Sequence, residues 1–306
     1  MISVLGSFRI LLGNFRILLG NSRFEIAKNI YKEQKLIKAR KKQKVDKFAN
    51  FIDILKKAPL SRDVFVQIAG RALGEYGFDV GEIENFFALG LELFEREGHV
   101  GLATAERLLG EQEFCVVDIE TTGSMRSGQI IEIGAIKLKG GEKIGHFSTL
   151  VFAPQVPPVI TELTGITSAM LIGAPSLAHA LCEFRRFLGQ AVFVAHNVSF
   201  DFGFISTSLV SLGQPPLFNR RLCTVELARR TIESERYGLD VLKELLGIKN
   251  THHRAYSDAI SAGQILLHGF KKLPDWVHTP EDLITFSKTA PSLQLEREGI
   301  REYIEF

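Results

Sequence analysis

The pattern of apolar and polar positions divides the chain into a helical stretch and a longer stretch in which strands give way to alternating helices and strands. Between residues 45 and 110 apolar side chains recur three or four positions apart. The series runs Phe48, Phe51, Ile52 and Leu55, then, beyond Pro59 and Ser61, Val64, Val66, Ile68, Ala69 and Leu73. Such spacing lines one face of a helix, so residues 45–110 are predicted to form a small all-helical domain. A further helix is predicted to start at Asp79, which stands in capping-box register with Glu82 ahead of Ile83, Phe86, Phe87 and Leu91.

From Glu113 the period changes. Residues 114–119, 129–138 and 143–152 are apolar or alternating runs separated by glycine-rich breaks such as Gly140-Gly141, and they predict three successive antiparallel strands. A helix over 176–188, a strand over 191–195, a helix over 199–212 and a short strand over 221–223 follow. Helices are then expected over 225–232, 239–246 and 255–270. This order predicts an α/β domain at residues 111–271, a mixed five-stranded sheet flanked by helices. Residues 272–306 read as a C-terminal tail with one clear element, a helix capped by Thr279 with Pro280 at its first position.

Residues 1–44 are different again. Phe8-Arg9-Ile10-Leu11-Leu12-Gly13-Asn14 is repeated at once as Phe15 to Asn21. Two heptads interrupted by Gly-Asn are too short and too broken for a coiled coil, and the segment reads as an apolar repeat leader. The basic arm that follows, with Arg40-Lys41-Lys42 at its centre, reads first as a solvated face or linker and second as a nucleic-acid contact.

Composition narrows the classes. With 306 residues, 45% apolar and 24% charged, the chain belongs with folded globular proteins. A net charge of +2 is too small to announce a nucleic-acid binder, so that case must rest on local chemistry. Cys115, Cys182 and Cys223 are widely spaced and set among apolar residues, which suits buried thiols in a reducing cytoplasm and offers no zinc spacing. Arg9, Arg16 and Arg23 interrupt the N-terminal apolar runs, so no membrane-spanning segment is expected and the protein is read as cytoplasmic.

The chemistry begins at Asp118-Ile119-Glu120-Thr121-Thr122-Gly123, directly after the apolar run Phe114 to Val117. Side chains alternate along a strand, so Asp118 and Glu120 share a face with Val116, while Cys115, Val117 and Ile119 take the other. Two same-face carboxylates at the end of a buried strand repel each other and lose hydration unless a cation offsets both. Asp201 follows another buried strand and His196-Asn197. Asp258 lies five residues beyond His253. Five residues of helix is a rotation of about 140°, so these two converge only if His253 precedes the helix and Asp258 sits in its early turns. A histidine so placed is suited to take a proton from water at neutral pH. Oxygen donors favour Mg²⁺ or Mn²⁺ over zinc, and a pair of such ions serves phosphodiester hydrolysis.

These residues resemble the DEDDh 3′–5′ exonuclease family, whose fold is ribonuclease H-like. Asp118-Ile-Glu120-Thr-Thr-Gly is similar to its first motif, His196-Asn-Val-Ser-Phe-Asp201 to its second and His253-Arg-Ala-Tyr-Ser-Asp258 to its third. Ile131-Glu132-Ile133-Gly134-Ala135 and Leu163-Thr164-Gly165-Ile166-Thr167 also resemble family segments. Within the family the chain looks most like the epsilon proofreading subunit of bacterial DNA polymerase III, to which it adds the helical stretch. The resemblance implies that Asp118, Glu120 and Asp258 hold a first ion, that Asp118 bridges to a second with Asp201 nearby, and that His253 is the general base. Thr121, Thr122, Leu163, Thr164, His196 and Asn197 would border the substrate. The implied activity is release of nucleoside monophosphates from single-stranded or frayed 3′ ends of DNA, in proofreading or repair. RNA 3′-end trimming is the alternative substrate. A subunit that docks on a replicative DNA polymerase, with catalysis secondary, is the alternative role.

Overall fold

The computed structural model describes residues 47–249 and 253–293. The repeat leader, most of the basic arm and His252 lie outside the described residues.

Residues 47–55 form the first helix, α1, followed by β1 (Leu60–Ser61), α2 (Arg62–Leu73), α3 (Ile83–Ala88), β2 (Leu93–Arg96), β3 (His99–Leu102) and the single turn α4 (Ala103–Glu106). The expectation of an all-helical domain here is therefore corrected. β1, β3 and β2 make a three-stranded antiparallel sheet. Its hairpin turns at Glu97-Gly98, both with positive φ (51° and 72°), the two-residue geometry that matches strand twist. Strands of four residues are too short to show their period against the helical pattern around them. The expected capping box at Asp79 is also absent. Asp79 Oδ1 instead accepts the Gly81 amide at 2.8 Å in a local turn, and the helix starts later, at Ile83. Phe51, Phe65 and Phe86 fill the core of this unit, and Phe218 joins them from far along the chain.

The large sheet is built from β4 (Phe114–Thr121), β5 (Ile130–Lys139) and β6 (Glu142–Leu150), then, after α5 (Pro158–Thr164) and α6 (Leu177–Leu188), from β7 (Val192–Ala195). α7 (Val198–Ser211) leads to the last strand, β8 (Arg221–Cys223). Helices α8 (Thr224–Thr231), α9 (Leu239–Leu245), α10 (Ala255–Phe270) and α11 (Pro280–Thr289) complete the described chain. The strand order is β6-β5-β4-β7-β8. β5 is antiparallel to β4 and β6, while β7 runs parallel to β4 and β8 parallel to β7, the mixed ribonuclease H-like arrangement. α5 was not anticipated, although its signals are plain: Pro158 at the first position and Gly165 at the left-handed C-cap.

Side-chain alternation along β4 sorts the helices. Cys115, Val117 and Ile119 pack with Phe184 of α6 and with Phe204 and Ile205 of α7. Val116, on the opposite face, packs with Ala262 and Leu266 of α10 and with Leu283 and Ile284 of α11. α11, expected within a tail, is thus part of the core. Burying residues such as Leu283 and Ile284 contributes about 1.5–3 kcal/mol each. Thr279 and Asp282 form its capping box. Its Glu281 is gripped by Arg220 at 2.5 and 2.7 Å and accepts the Thr104 hydroxyl at 2.8 Å, which ties α4, the edge of the large sheet and α11 together. No helix among the described residues is long and apolar enough to cross a membrane.

Candidate active site

The acids converge because three elements end or begin beside the last turn of β4. Asp118 and Glu120 project from the strand on the face that α10 covers. α10 begins at Ala255, His253 stands just before it, and Asp258 lies in its first turn. Ligand oxygens of Asp118, Glu120 and Asp258 all lie within 4.8 Å of one another. Asp201 comes from the first turn of α7, on the far side of β4. It is outside that trio of oxygens, but its charge bears on Asp118 and its carboxylate accepts the Ile119 amide of β4. Asn197, at the N-cap of α7 with φ 76°, lets the chain turn sharply from β7 into the helix, a conformation asparagine tolerates better than most residues.

Register explains how α10 comes so near. Asp118 pairs with Gly134 across β4 and β5, and a Cβ at Gly134 would stand 2.1 Å from the Tyr256 amide nitrogen. Only glycine admits the helix at that height.

The cluster is electrostatically unbalanced. Burial pushes the Asp118 carboxyl well above the usual range, and Asp201 and Glu120 add repulsion. Glu120 is pushed up to about 7 by burial, with Glu132 and Asp258 adding and Arg254 opposing. Burial likewise takes Asp201 to about 8 against the hydrogen bonds from its own amide and that of Ile119. Asp258 is raised too, since burial outweighs the Lys243 ammonium and the His253 amide. Three convergent carboxylates held in this way form an all-oxygen donor set that a hard divalent cation fits.

Sequence reasoning assigned no role to three residues around this cluster. Glu132 is only 2% exposed, lies opposite Glu120 in the ladder and accepts hydrogen bonds from Arg254 at 2.7, 3.1 and 3.2 Å. Lys243 of α9, also 2% exposed, places Nζ 3.5 Å from Asp258 Oδ1. A buried charge costs several kcal/mol unless paired, so Glu132 and Lys243 depend on these partners. A carboxylate inside the run Ile130-Ile131-Glu132-Ile133 was a signal of Glu132, but not of its partner Arg254; Lys243, in an ordinary amphipathic stretch, left none.

The residues expected to border substrate fall into two groups. Leu163, 51% exposed at the end of α5, presents an apolar side chain to solvent. Asn197 is exposed as well and makes no capping bond with its side chain, whereas Thr121, Thr122, Thr164 and His196 use their polar groups internally. Thr121 Oγ1 donates to the Gly123 carbonyl and Thr122 Oγ1 accepts the Gln129 amide, both at 2.9 Å, which shapes the loop after the bulge between Glu120 and Thr121. Thr164 is buried, with its hydroxyl on Ile160 O and the Ile166 amide. His196 is engaged at both ring nitrogens. Its Nε2 must donate to the Tyr237 carbonyl at 2.9 Å, so Nδ1 accepts from the Thr224 hydroxyl at 2.8 Å, and burial lowers its pKa towards this neutral form. His196 braces the chain between β7 and α8.

A family model described as Exonuclease (RNase_T) matches residues 115–266. PolC-type DNA polymerase III of Clostridium perfringens is 43% identical over 169 residues, covering 54% of this chain and 12% of that protein. The same polymerase type from Caldanaerobacter subterraneus is 38% identical over 213 residues, covering 68% of this chain and 15% of its own length. The chain therefore spans less than a sixth of these relatives. Among solved structures, exonuclease X in complex with 5′ overhanging duplex DNA aligns with a TM-score of 0.44 at 24% identity, covering 57% of this chain and 99% of its own. Escherichia coli exonuclease I with a dT13 oligonucleotide gives 0.48 at 16% identity, over 53% and 42%. Residues 115–266, just under half of the chain, form an exonuclease domain of the RNase T family.

Proposed function

We propose that the protein is a 3′–5′ exonuclease that needs Mg²⁺ or Mn²⁺ and removes nucleoside monophosphates from single-stranded or frayed DNA 3′ ends. The observation that carries this reading is the convergence of Asp118, Glu120 and Asp258 within 4.8 Å, with Asp201 behind them and His253 at their edge. The PolC-type relatives support DNA as substrate and proofreading as the setting, with a replicative polymerase as partner.

Asp118, Glu120 and Asp258 would hold the ions, and Asp201 would act beside Asp118. When bound, the ions supply Lewis acidity at the scissile phosphate and offset the carboxylates. An imidazole nitrogen of His253 takes the proton of the attacking water as its oxygen bonds to phosphorus. The bond from phosphorus to the 3′ oxygen of the remaining strand breaks, and that oxygen acquires a proton from solvent. Leu163 would meet the terminal base with its exposed apolar side chain.

Digestion of 5′-labelled single-stranded DNA and matched RNA, with and without Mg²⁺, tests the reading. A ladder shortening from the 3′ end only with metal, and faster on DNA, is expected. Metal-independent cleavage, or cleavage of RNA alone, would overturn it.

A further inference from the structure

Glu132 has a place in the site that its burial alone does not explain. Its carboxylate receives Nε and Nη2 of Arg254 and also the backbone amide of Ala255, at 3.0 Å, the first residue of α10. Two residues before Ala255, the His253 amide donates to Asp258 Oδ2 at 3.1 Å. Three consecutive residues are therefore tied to two carboxylates, His253 to Asp258 and Arg254 with Ala255 to Glu132. His253 meanwhile holds a φ of 54°, left-handed backbone that a non-glycine residue adopts only when its surroundings impose it.

We infer that Glu132 and Arg254 are positioning residues, a clamp that fixes the backbone on the C-terminal side of His253 and so holds its imidazole against the carboxylate cluster. This rests on the exonuclease reading. Neither residue need touch substrate. Arg254 is suited because a guanidinium meets both carboxylate oxygens in one plane, which a lysine ammonium cannot do. Glu132 is suited because β5 is the strand on which α10 lies, with Gly134 two residues away on the same face.

The test uses full-length protein carrying Glu132→Gln, Arg254→Lys, Arg254→Gln, or Glu132→Gln with Arg254→Gln. Three quantities are measured: Mn²⁺ binding by calorimetry, kcat and KM on single-stranded DNA, and hydrogen exchange of the His253 and Ala255 amides. Loss of such a supporting contact lowers activity by about 10–100-fold. That loss is expected in kcat, with KM and Mn²⁺ affinity changed less than about threefold and exchange at both amides accelerated. The double variant should be no worse than Glu132→Gln alone, because two residues acting as one unit are not additive. Arg254→Lys keeps the charge and lacks the fork, so it separates geometry from electrostatics and should behave like Arg254→Gln. Folded variants with wild-type kcat, multiplicative losses in the double variant, or unchanged exchange would overturn the clamp. An inactive wild type would instead count against the exonuclease reading, and the exchange data would still decide the clamp.

Discussion

Asp118 stands directly across the ladder from Gly134, and that pairing sets the height of α10 above the sheet. Gly134→Ala would drive a methyl group into the Tyr256 backbone, which is not a flexible side-chain end. The helix must then rise and carry Asp258 away from Asp118 and Glu120. Overpacking of this kind costs about 1–3 kcal/mol. A lower urea midpoint together with weaker Mn²⁺ binding is expected. A wild-type midpoint and affinity would show that the close approach does not matter.

Asp118 is the carboxylate on which Asp201, Glu120 and Asp258 all act. Asp118→Asn keeps the shape and removes the charge, so it should separate stability from activity. In metal-free buffer at pH 8 the variant should melt at a higher temperature than wild type, since a repelled, buried charge has been removed. Cleavage should fall by about 100-fold or more, because several kcal/mol of charge stabilisation are lost and each 1.4 kcal/mol is tenfold. Thermal melts and digestion rates on the same preparations check both. A variant both less stable and fully active would contradict the account.

Much of this arrangement was legible because it depends on chain-local rules. Alternation along 114–121 separated Asp118 and Glu120 from Cys115, Val117 and Ile119, and the structure puts those two sets on opposite faces. Helical rotation allowed His253 and Asp258 to converge only if His253 preceded the helix, and α10 does begin after it, at Ala255. What escaped were relations across the chain. Glu132 and Arg254 meet over 122 positions of sequence, and Arg220 and Glu281 over 61. Periodicity carries no information about such pairs. The small sheet of β1, β2 and β3 escaped for another reason, because strands of two to four residues give alternation too little length to register.

Acidity should also change the stability of the metal-free protein. Glu120 and Asp201 have folded pKa values of about 7 and about 8, whereas the unfolded carboxyls titrate near about 4. The native state thus binds more protons over this window, and stability falls as pH rises through it. The melting temperature without divalent ions should decline from pH 5 to pH 8.5, and saturating Mg²⁺ should flatten the decline. A metal-free melting curve that rises across this window would contradict the burial-driven shifts.

Phe218 joins the N-terminal unit to the exonuclease fold. It precedes β8, donates its amide to Leu89 O at 2.9 Å and packs on the rings of Phe48, Tyr76 and Phe78 at 4.9, 5.3 and 6.2 Å. Phe218→Ala would leave a cavity inside the core of the smaller unit, at a cost of about 3–5 kcal/mol. None of the clustered acids contacts this ring, so the chemistry should persist at low temperature while the two units lose their coupling. The expected result is a first unfolding step at reduced temperature, protease cleavage between residues 104 and 114, and DNA cleavage close to wild type at 20 °C. The same packing argues that residues 47–110 expressed alone would lack a core side chain. Restoring a large apolar residue with Phe218→Leu should recover most of the lost midpoint. Failure of that rescue would mean that the Phe218 ring is not what holds the units together.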